Sequence, residues 1–190
     1  MKTNRLEAFS DGVIAVIITI MVLELKPPHE ATVAAIGEVL PSLLVYGLSF
    51  LVVAIMWINH HHFLDRALRA DTLLLWSNNN LLFWMSLIPF VTAYLGQNHR
   101  TPMAVAAYGL VLALVSASFL GLQTALARQD KEDPKRSLHF RRMNWKAGLS
   151  FALYASAAGL AFRSVSVSLT IFVLIPLMYF WPERETMCAE

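Results

Sequence analysis

The chain has few charged residues and almost no cysteine. Only 15% of its 190 residues are Asp, Glu, Lys or Arg, and 57% are hydrophobic, whereas an ordinary soluble domain has about 25% charged residues. This balance excludes a typical soluble globular fold and predicts an integral membrane protein. The single cysteine, Cys188, excludes an intrachain disulfide and a thiolate metal cluster within one chain.

The sequence also lacks the motifs of several functional classes. It has no Gly-rich phosphate loop, no Ser-x-x-Lys nucleophile and no recognisable pairing of a nucleophile with a base, so we predict a protein that is not an enzyme. Its basic residues are in loops without an aromatic platform, which argues against nucleic acid as a partner. We expect no cofactor.

Long uncharged runs predict an all-α fold with six transmembrane helices. A spanning helix needs about 20 mostly apolar residues, and the run at residues 12–23 reaches that length only if its helix begins near Leu6. Asp11 then lies one to two turns inside the membrane. The six helices are predicted at about residues 6–25, 38–63, 72–96, 103–127, 145–162 and 164–181, in one domain covering residues 1–190.

The distribution of Lys and Arg predicts that both termini are cytoplasmic. An even number of helices puts the termini on one side, and twelve of the fifteen Lys and Arg residues then lie in cytoplasmic segments. The outer loops contain only Lys26, Arg100 and Arg163, as the positive-inside rule requires. The basic segment 127–146 can contact anionic lipid headgroups, although the same rule explains its charge without that role.

Three polar clusters are predicted to meet in one layer near the cytoplasmic side. Asp11 lies near the start of the first helix, His60–His62 near the end of the second, and Ser77–Asn80 near the start of the third. A carboxylate inside a membrane needs partners. The candidates are Ser10, Trp57, the histidines, the asparagines, or an arginine that reaches over from the start of the first helix.

This polar layer is compatible with more than one role. It can be a buried clasp that holds three helices together, or Asp11 and His60–His62 can relay protons in a proton- or ion-coupled secondary transporter. No metal site is predicted, because adjacent histidines on a helix point about 100° apart. The second helix therefore supplies at most two ligands to one ion, from His61 or His62 together with Asp65.

One face of the first helix carries Val16, Thr19, Ile20 and Leu23, at positions i, i+3, i+4 and i+7. Such a face most often packs against lipid or other helices. If several copies of the helix surround an axis, however, the same face forms stacked apolar rings with one ring of hydroxyls. Apolar constrictions can gate ions by dewetting, so these rings are compatible with a channel.

The segment from Arg5 to Asp11, RLEAFSD, carries a motif. It resembles the Arg-x-x-x-Phe-Ser-Asp signature of the transmembrane protein 175 family, the lysosomal potassium channels and their prokaryotic relatives. The continuation GVIAVIITIMVLEL is similar to the rest of that family's first helix, and Trp57 to His61 is similar to its Trp-x-x-His-His stretch. The position of the motif at the start of the first of six helices adds to its specificity.

The resemblance implies a potassium-permeable cation channel, a homotetramer in which the first helix lines a central pore. Its partners would be other copies of the chain, membrane lipid and monovalent cations, with K⁺ as the permeant ion, in a prokaryotic inner membrane. The constriction would fall at Val16, where relatives usually have the larger Ile or Leu, followed by Thr19, Ile20 and Leu23. The implied polar network near the inner mouth contains Arg5, Ser10, Asp11, Trp57, His60, His61 and Asn79.

Overall fold

The computed structural model describes residues 3–65, 67–129 and 134–180, and for residues 134–144 and 180 it describes the backbone only. These residues form seven α-helices and no β-strand, so the all-α prediction is confirmed. The helices are α1 (Thr3–Leu23), α2 (Val33–Leu64), α3 (Thr72–Ser86), α4 (Ile88–Gln97), α5 (Pro102–Ala127), α6 (Pro134–Leu160) and α7 (Val165–Leu177), and a 3₁₀ turn, Met178–Phe180, follows α7.

Helix α1 packs against α2, α3 and α4 along one side. Its buried residues are Leu6, Ser10, Ile14, Ile17 and Met21. Their spacing of three or four residues puts them on one helical face. The opposite side of α1 is open over its whole length, and it carries the four residues that the sequence singled out.

The predicted third helix, residues 72–96, is interrupted at Leu87 and forms two helices, α3 and α4. Asp71 caps α3, because its carboxylate accepts a hydrogen bond from the Leu74 amide at 2.9 Å. Pro89, in the first turn of α4, explains the interruption. Proline lacks the amide hydrogen that would continue the ladder, and its ring clashes with the carbonyl of the preceding turn.

Helix α5 is the central element of the described fold and contacts α3, α4, α6 and α7. At Gly109 the neighbours are so close that an added Cβ would lie 2.7 Å from Phe172 Cζ. The absence of a side chain at Gly109 thus permits tight helix packing.

Beside Gly109, a buried polar cluster joins α2, α4 and α5. The Tyr108 hydroxyl on α5 lies 3.0 Å from Ser49 Oγ on α2, and Thr92 on α4 donates to the same Ser49 oxygen at 2.7 Å.

Helix α6 begins eleven residues before the predicted start at 145, since it extends from Pro134 to Leu160. The prediction followed the uncharged run, which marks only the membrane-embedded part of a helix. Proline is well suited to the first helical position, and the Lys, Arg and Leu that follow are good helix formers. The basic segment is therefore largely helical. Lys2, Arg66, residues 130–133 and residues 181–190, including Cys188, lie outside the described part.

Three of the described helices, α1, α2 and α5, are long and apolar enough to cross a membrane, and α7 is a shorter apolar helix. Helix α2 has 32 residues, which corresponds to about 48 Å and exceeds a hydrocarbon core of about 30 Å. It begins at Val33, earlier than the predicted residue 38, where Thr32 accepts a hydrogen bond from the Ala35 amide at 3.2 Å. The first turns of α2 thus have a polar cap.

Candidate functional site

The open face of α1 consists of residues whose side chains are not covered by the described part of the protomer. Val16 and Leu23 are 55% and 79% exposed, and Thr19 and Ile20 are also exposed. Phe9 and Gly12 continue the same helical face toward the start of α1 and are exposed as well. The face is therefore apolar along its length, with the Thr19 hydroxyl as its polar group.

Thr19 has a defined hydroxyl geometry within α1. Its Oγ1 donates a hydrogen bond to the Val16 carbonyl oxygen at 2.8 Å. A hydroxyl has one hydrogen and two acceptor lone pairs, so the donor is used inside the helix and the lone pairs are available to a ligand. Such an oxygen can replace one water molecule in the hydration shell of a cation.

A fully buried polar cluster joins α1, α2 and α3 below this face. Asn78 Nδ2 donates to Ser10 Oγ at 3.0 Å, and Asn78 Oδ1 lies 2.7 Å from His60 Nε2. Ser10 in turn donates to the Leu6 carbonyl oxygen at 2.9 Å. All three side chains are 0% exposed. Because each of these bonds satisfies a group that is shielded from water, the cluster fixes how the three helices meet.

Asp11 lies beside this cluster and is half-buried. The Trp57 indole N–H of α2 donates to Asp11 Oδ1 at 2.9 Å. The Trp57 ring also stacks on His61, with 6.1 Å between ring centroids and 24° between planes. The partner of Asp11 is therefore Trp57, one of the candidate partners that the sequence proposed.

Arg5 and Asn79 are the two predicted network residues that the described structure keeps apart from this layer. Arg5 is exposed and forms no hydrogen bond or ion pair with another described residue. Asn79 is exposed, and the asparagine that joins Ser10 and His60 is its neighbour Asn78. The rotation of α3 explains this, because its buried face includes Asn78 and not Asn79. The buried residues on that face are Leu74, Asn78, Leu81, Leu82 and Met85.

Glu7 is a residue of this region that the sequence analysis did not single out. Its carboxylate Oε1 lies 2.8 Å from His61 Nδ1. Glu7 precedes Asp11 by four residues and therefore shares its helical face. That spacing was the available sequence signal, because a face that contacts α2 through Asp11 also brings Glu7 to α2.

The structure defines a helical multi-pass membrane protein with an open apolar face on its first helix. Residues 5–89 match the family described as "Endosomal/lysosomal potassium channel TMEM175". A potassium channel of Chryseobacterium sp. (strain P1-3) is 36% identical over 97% of this chain and 96% of the relative. A potassium channel of Streptomyces collinus (strain DSM 40733 / Tue 365) is 34% identical over 94% of this chain and 91% of the relative.

The fold has a solved counterpart. The crystal structure of a Chamaesiphon minutus homologue of the lysosomal potassium-selective channel TMEM175 superposes on this chain with a TM-score of 0.80 at 28% identity. The match covers 94% of this chain and 96% of that one. The chain belongs to the TMEM175 family, a family of membrane channels and not of enzymes.

Proposed function

We propose that this protein is a potassium-permeable cation channel and that it assembles as a homotetramer with α1 lining a central pore. The relatives named potassium channels support the permeant ion. They match this chain over nearly its whole length, so the likeness includes every described helix. The fourfold assembly follows the family resemblance, and multiple copies are needed because one α1 helix cannot enclose a path.

The observation that carries this proposal is the division of α1 into two faces. Ile14, Ile17 and Met21 are at most 2% exposed, whereas Val16 and Ile20 on the other side are open. A helix with one face fixed inside the protomer presents its other face at a constant orientation. Copies of the protomer arranged around an axis would therefore bring four equivalent faces together and form rings.

In this arrangement the rings have distinct chemistry. Val16, Ile20 and Leu23 form apolar rings that oppose the passage of hydrated ions through dewetting. Thr19 adds one ring of hydroxyl oxygens between them. Since Val16 is smaller than the Ile or Leu usual in the family, Ile20 and Leu23 are further candidates for the narrowest ring.

The start of α1 is proposed to lie on the cytoplasmic side, with both chain termini there and the chain in a prokaryotic inner membrane. The excess of Lys and Arg in the segments on that side supports this orientation. The cluster of Ser10, His60 and Asn78 would then lie near the inner mouth. It would hold the pore helix in place without contacting the permeant ion.

The test is potassium flux into proteoliposomes that contain the purified protein. Val16→Asn and Ile20→Asn would each hydrate one ring, and we expect flux to rise at least several-fold above that of the unmodified channel. The matched control is Val173→Asn on α7. Val173 is 50% exposed, as Val16 is largely exposed, and its substitution introduces the same polar group away from α1. That variant should conduct like the unmodified protein.

The outcome that rejects the proposal is equally defined. If the Val16 and Val173 variants change flux equally while the oligomer stays intact in size-exclusion chromatography, α1 does not line the path. Should the unmodified protein move K⁺ only when a proton gradient is imposed, a coupled transporter explains the polar layer better than a channel does.

A further inference from the structure

A second group of polar side chains lies where the start of α1 meets the end of α2. His61 Nδ1 is 2.8 Å from Glu7 Oε1, and His61 Nε2 is 3.6 Å from Asp65 Oδ2. One ligand atom from each of the three residues lies within 4.8 Å of the others. The group is distinct from the buried cluster of Ser10, His60 and Asn78, because its members are accessible.

Accessibility matters for an ion that has to enter from the aqueous side. The side chains of Glu7, His61 and Asp65 are 23%, 43% and 55% exposed. The partial burial of Glu7 and the stacking of His61 on Trp57 restrict the rotamers of two of the three side chains. Asp65 is the freest, so it can move to complete a coordination shell.

The donor set has the chemistry of a transition-metal site. Imidazole and carboxylate are common ligands of Zn²⁺, with metal–ligand distances of about 2.0–2.2 Å. In a tetrahedral site these distances place the donor atoms about 3.4 Å apart. His61 contacts Glu7 through Nδ1 and Asp65 through Nε2, and only one of these nitrogens can bind the ion. The second carboxylate must therefore turn toward that nitrogen, from which its ligand atom is at most 4.8 Å away. Mg²⁺ and Ca²⁺ prefer shells made of oxygen, so an imidazole in the shell disfavours them.

We propose that Glu7, His61 and Asp65 bind one divalent transition-metal ion, such as Zn²⁺, per chain and that the ion links α1 to α2. Helix α2 alone supplies at most two ligands, His61 and Asp65, and the fold adds the third ligand, Glu7, from α1. Three protein ligands leave a fourth position for water. The proposal concerns binding, so its test requires no ion flux and stands apart from the proposed channel function.

The experiment is isothermal titration of Zn²⁺ into the purified, metal-free, full-length protein in detergent. The key comparison is His61→Ala with His62→Ala, because His62 is the adjacent exposed imidazole outside the group. We expect the unmodified protein and the His62 variant to bind Zn²⁺ with equal affinity. The His61 variant should bind at least about tenfold more weakly, as expected when a ligand is removed.

Glu7→Gln tests the link between the two helices and conserves side-chain size. It should also weaken Zn²⁺ binding at least about tenfold, and Zn²⁺ should raise the unfolding temperature of the unmodified protein more than that of this variant. The variant also provides the measurement if His61→Ala does not assemble.

Two results would overturn the proposal. If both histidine variants bind Zn²⁺ as the unmodified protein does, any binding occurs at another place. If the Glu7 variant alone retains full affinity, the ion is held by α2 only and the link to α1 is wrong.

Discussion

Asn78 Nδ2 donates a hydrogen bond to Ser10 Oγ at 3.0 Å, although the two residues are 68 positions apart in the chain. The same Asn78 side chain reaches His60 through its carbonyl oxygen, so a single amide connects α1, α2 and α3. Helix α1 consequently has a fixed rotation relative to its neighbours. This rotation decides which of its residues stay open.

Asn78→Ala is expected to destabilise the protein by about 1–3 kcal/mol, because it leaves the Ser10 and His60 groups buried without their partner. The free energy of unfolding is measured by denaturant titration in detergent. The control is Asn79→Ala, the adjacent exposed asparagine, which should change stability by less than about 0.5 kcal/mol. Equal losses in the two variants would contradict the assignment of Asn78 to the cluster.

Thr19→Val is expected to lower the K⁺ over Na⁺ permeability ratio, because it replaces the hydroxyl on the open face of α1 with a methyl group of similar size. Reversal potentials under mixed-ion gradients measure the ratio. Thr124→Val is the matched control, since Thr124 is also exposed and its hydroxyl also donates to a carbonyl three residues earlier, at 2.7 Å. An unchanged ratio in the Thr19 variant would exclude the hydroxyl ring from selectivity.

Gly109→Ala is expected to destabilise the protein by about 1–3 kcal/mol, the usual cost of forcing an extra group into a packed core. The new methyl group would lie 2.7 Å from Phe172 Cζ and 3.0 Å from Ala158 Cβ. Gly121→Ala on the same helix meets no atom within 4 Å, so it should be neutral or stabilising by up to about 1 kcal/mol. Thermal unfolding compares the two, and a harmless Gly109 variant would show that the helices can separate.

Asp71 predicts a pH-dependent contribution to stability. The hydrogen bond from the Leu74 amide, together with Gln129 and Arg69, holds the pKa of the Asp71 carboxyl below its ordinary value of 3.8. A carboxyl whose pKa is lowered by folding contributes stability above its unfolded pKa and loses that contribution as pH falls through the folded pKa. The difference in unfolding temperature between the unmodified protein and Asp71→Asn should therefore shrink below about pH 3.8.

In that comparison the two proteins share every other titrating group, so their difference isolates Asp71. Gln129 Nε2 donates to Asp71 Oδ2 at 3.1 Å and to the Arg69 carbonyl oxygen at 2.9 Å, which ties the segment before α3 to the end of α5. Gln129→Ala should lower the unfolding temperature at neutral pH while leaving the Leu74 cap intact.

If the difference in unfolding temperature between the unmodified protein and Asp71→Asn stays constant down to acidic pH, the Asp71 charge has no role in stability.

Several features could be predicted from sequence because they depend on local chemistry. Hydropathy identifies the solvent, so the membrane assignment and the all-α fold follow from long uncharged runs. Helical periodicity alone places Val16, Thr19, Ile20 and Leu23 on one face. That face is exposed in the protomer, and its role as a pore lining stays a proposal.

Other features depended on the tertiary structure. The third helix was predicted to be continuous over residues 72–96, but the structure has a break at Leu87. Whether a proline such as Pro89 bends or interrupts a helix depends on the packing around it. The helical start of α6 at Pro134 was missed, because charged helix formers outside the membrane carry no hydropathy signal. Hydropathy measures the free energy of transferring a side chain from water to an apolar phase, so it does not show whether a charged segment is helical.

The sequence by itself determined the membrane environment, the helical class and the family motif from Arg5 to Asp11, because each depends on residue type and short spacing. Only the tertiary structure decided that Asn78 and not Asn79 meets Ser10, and that Glu7 meets His61. The physical reason is that such pairings depend on the relative rotation of helices. Packing over the whole bundle sets that rotation, and a turn of 100° exchanges one neighbouring residue for the next.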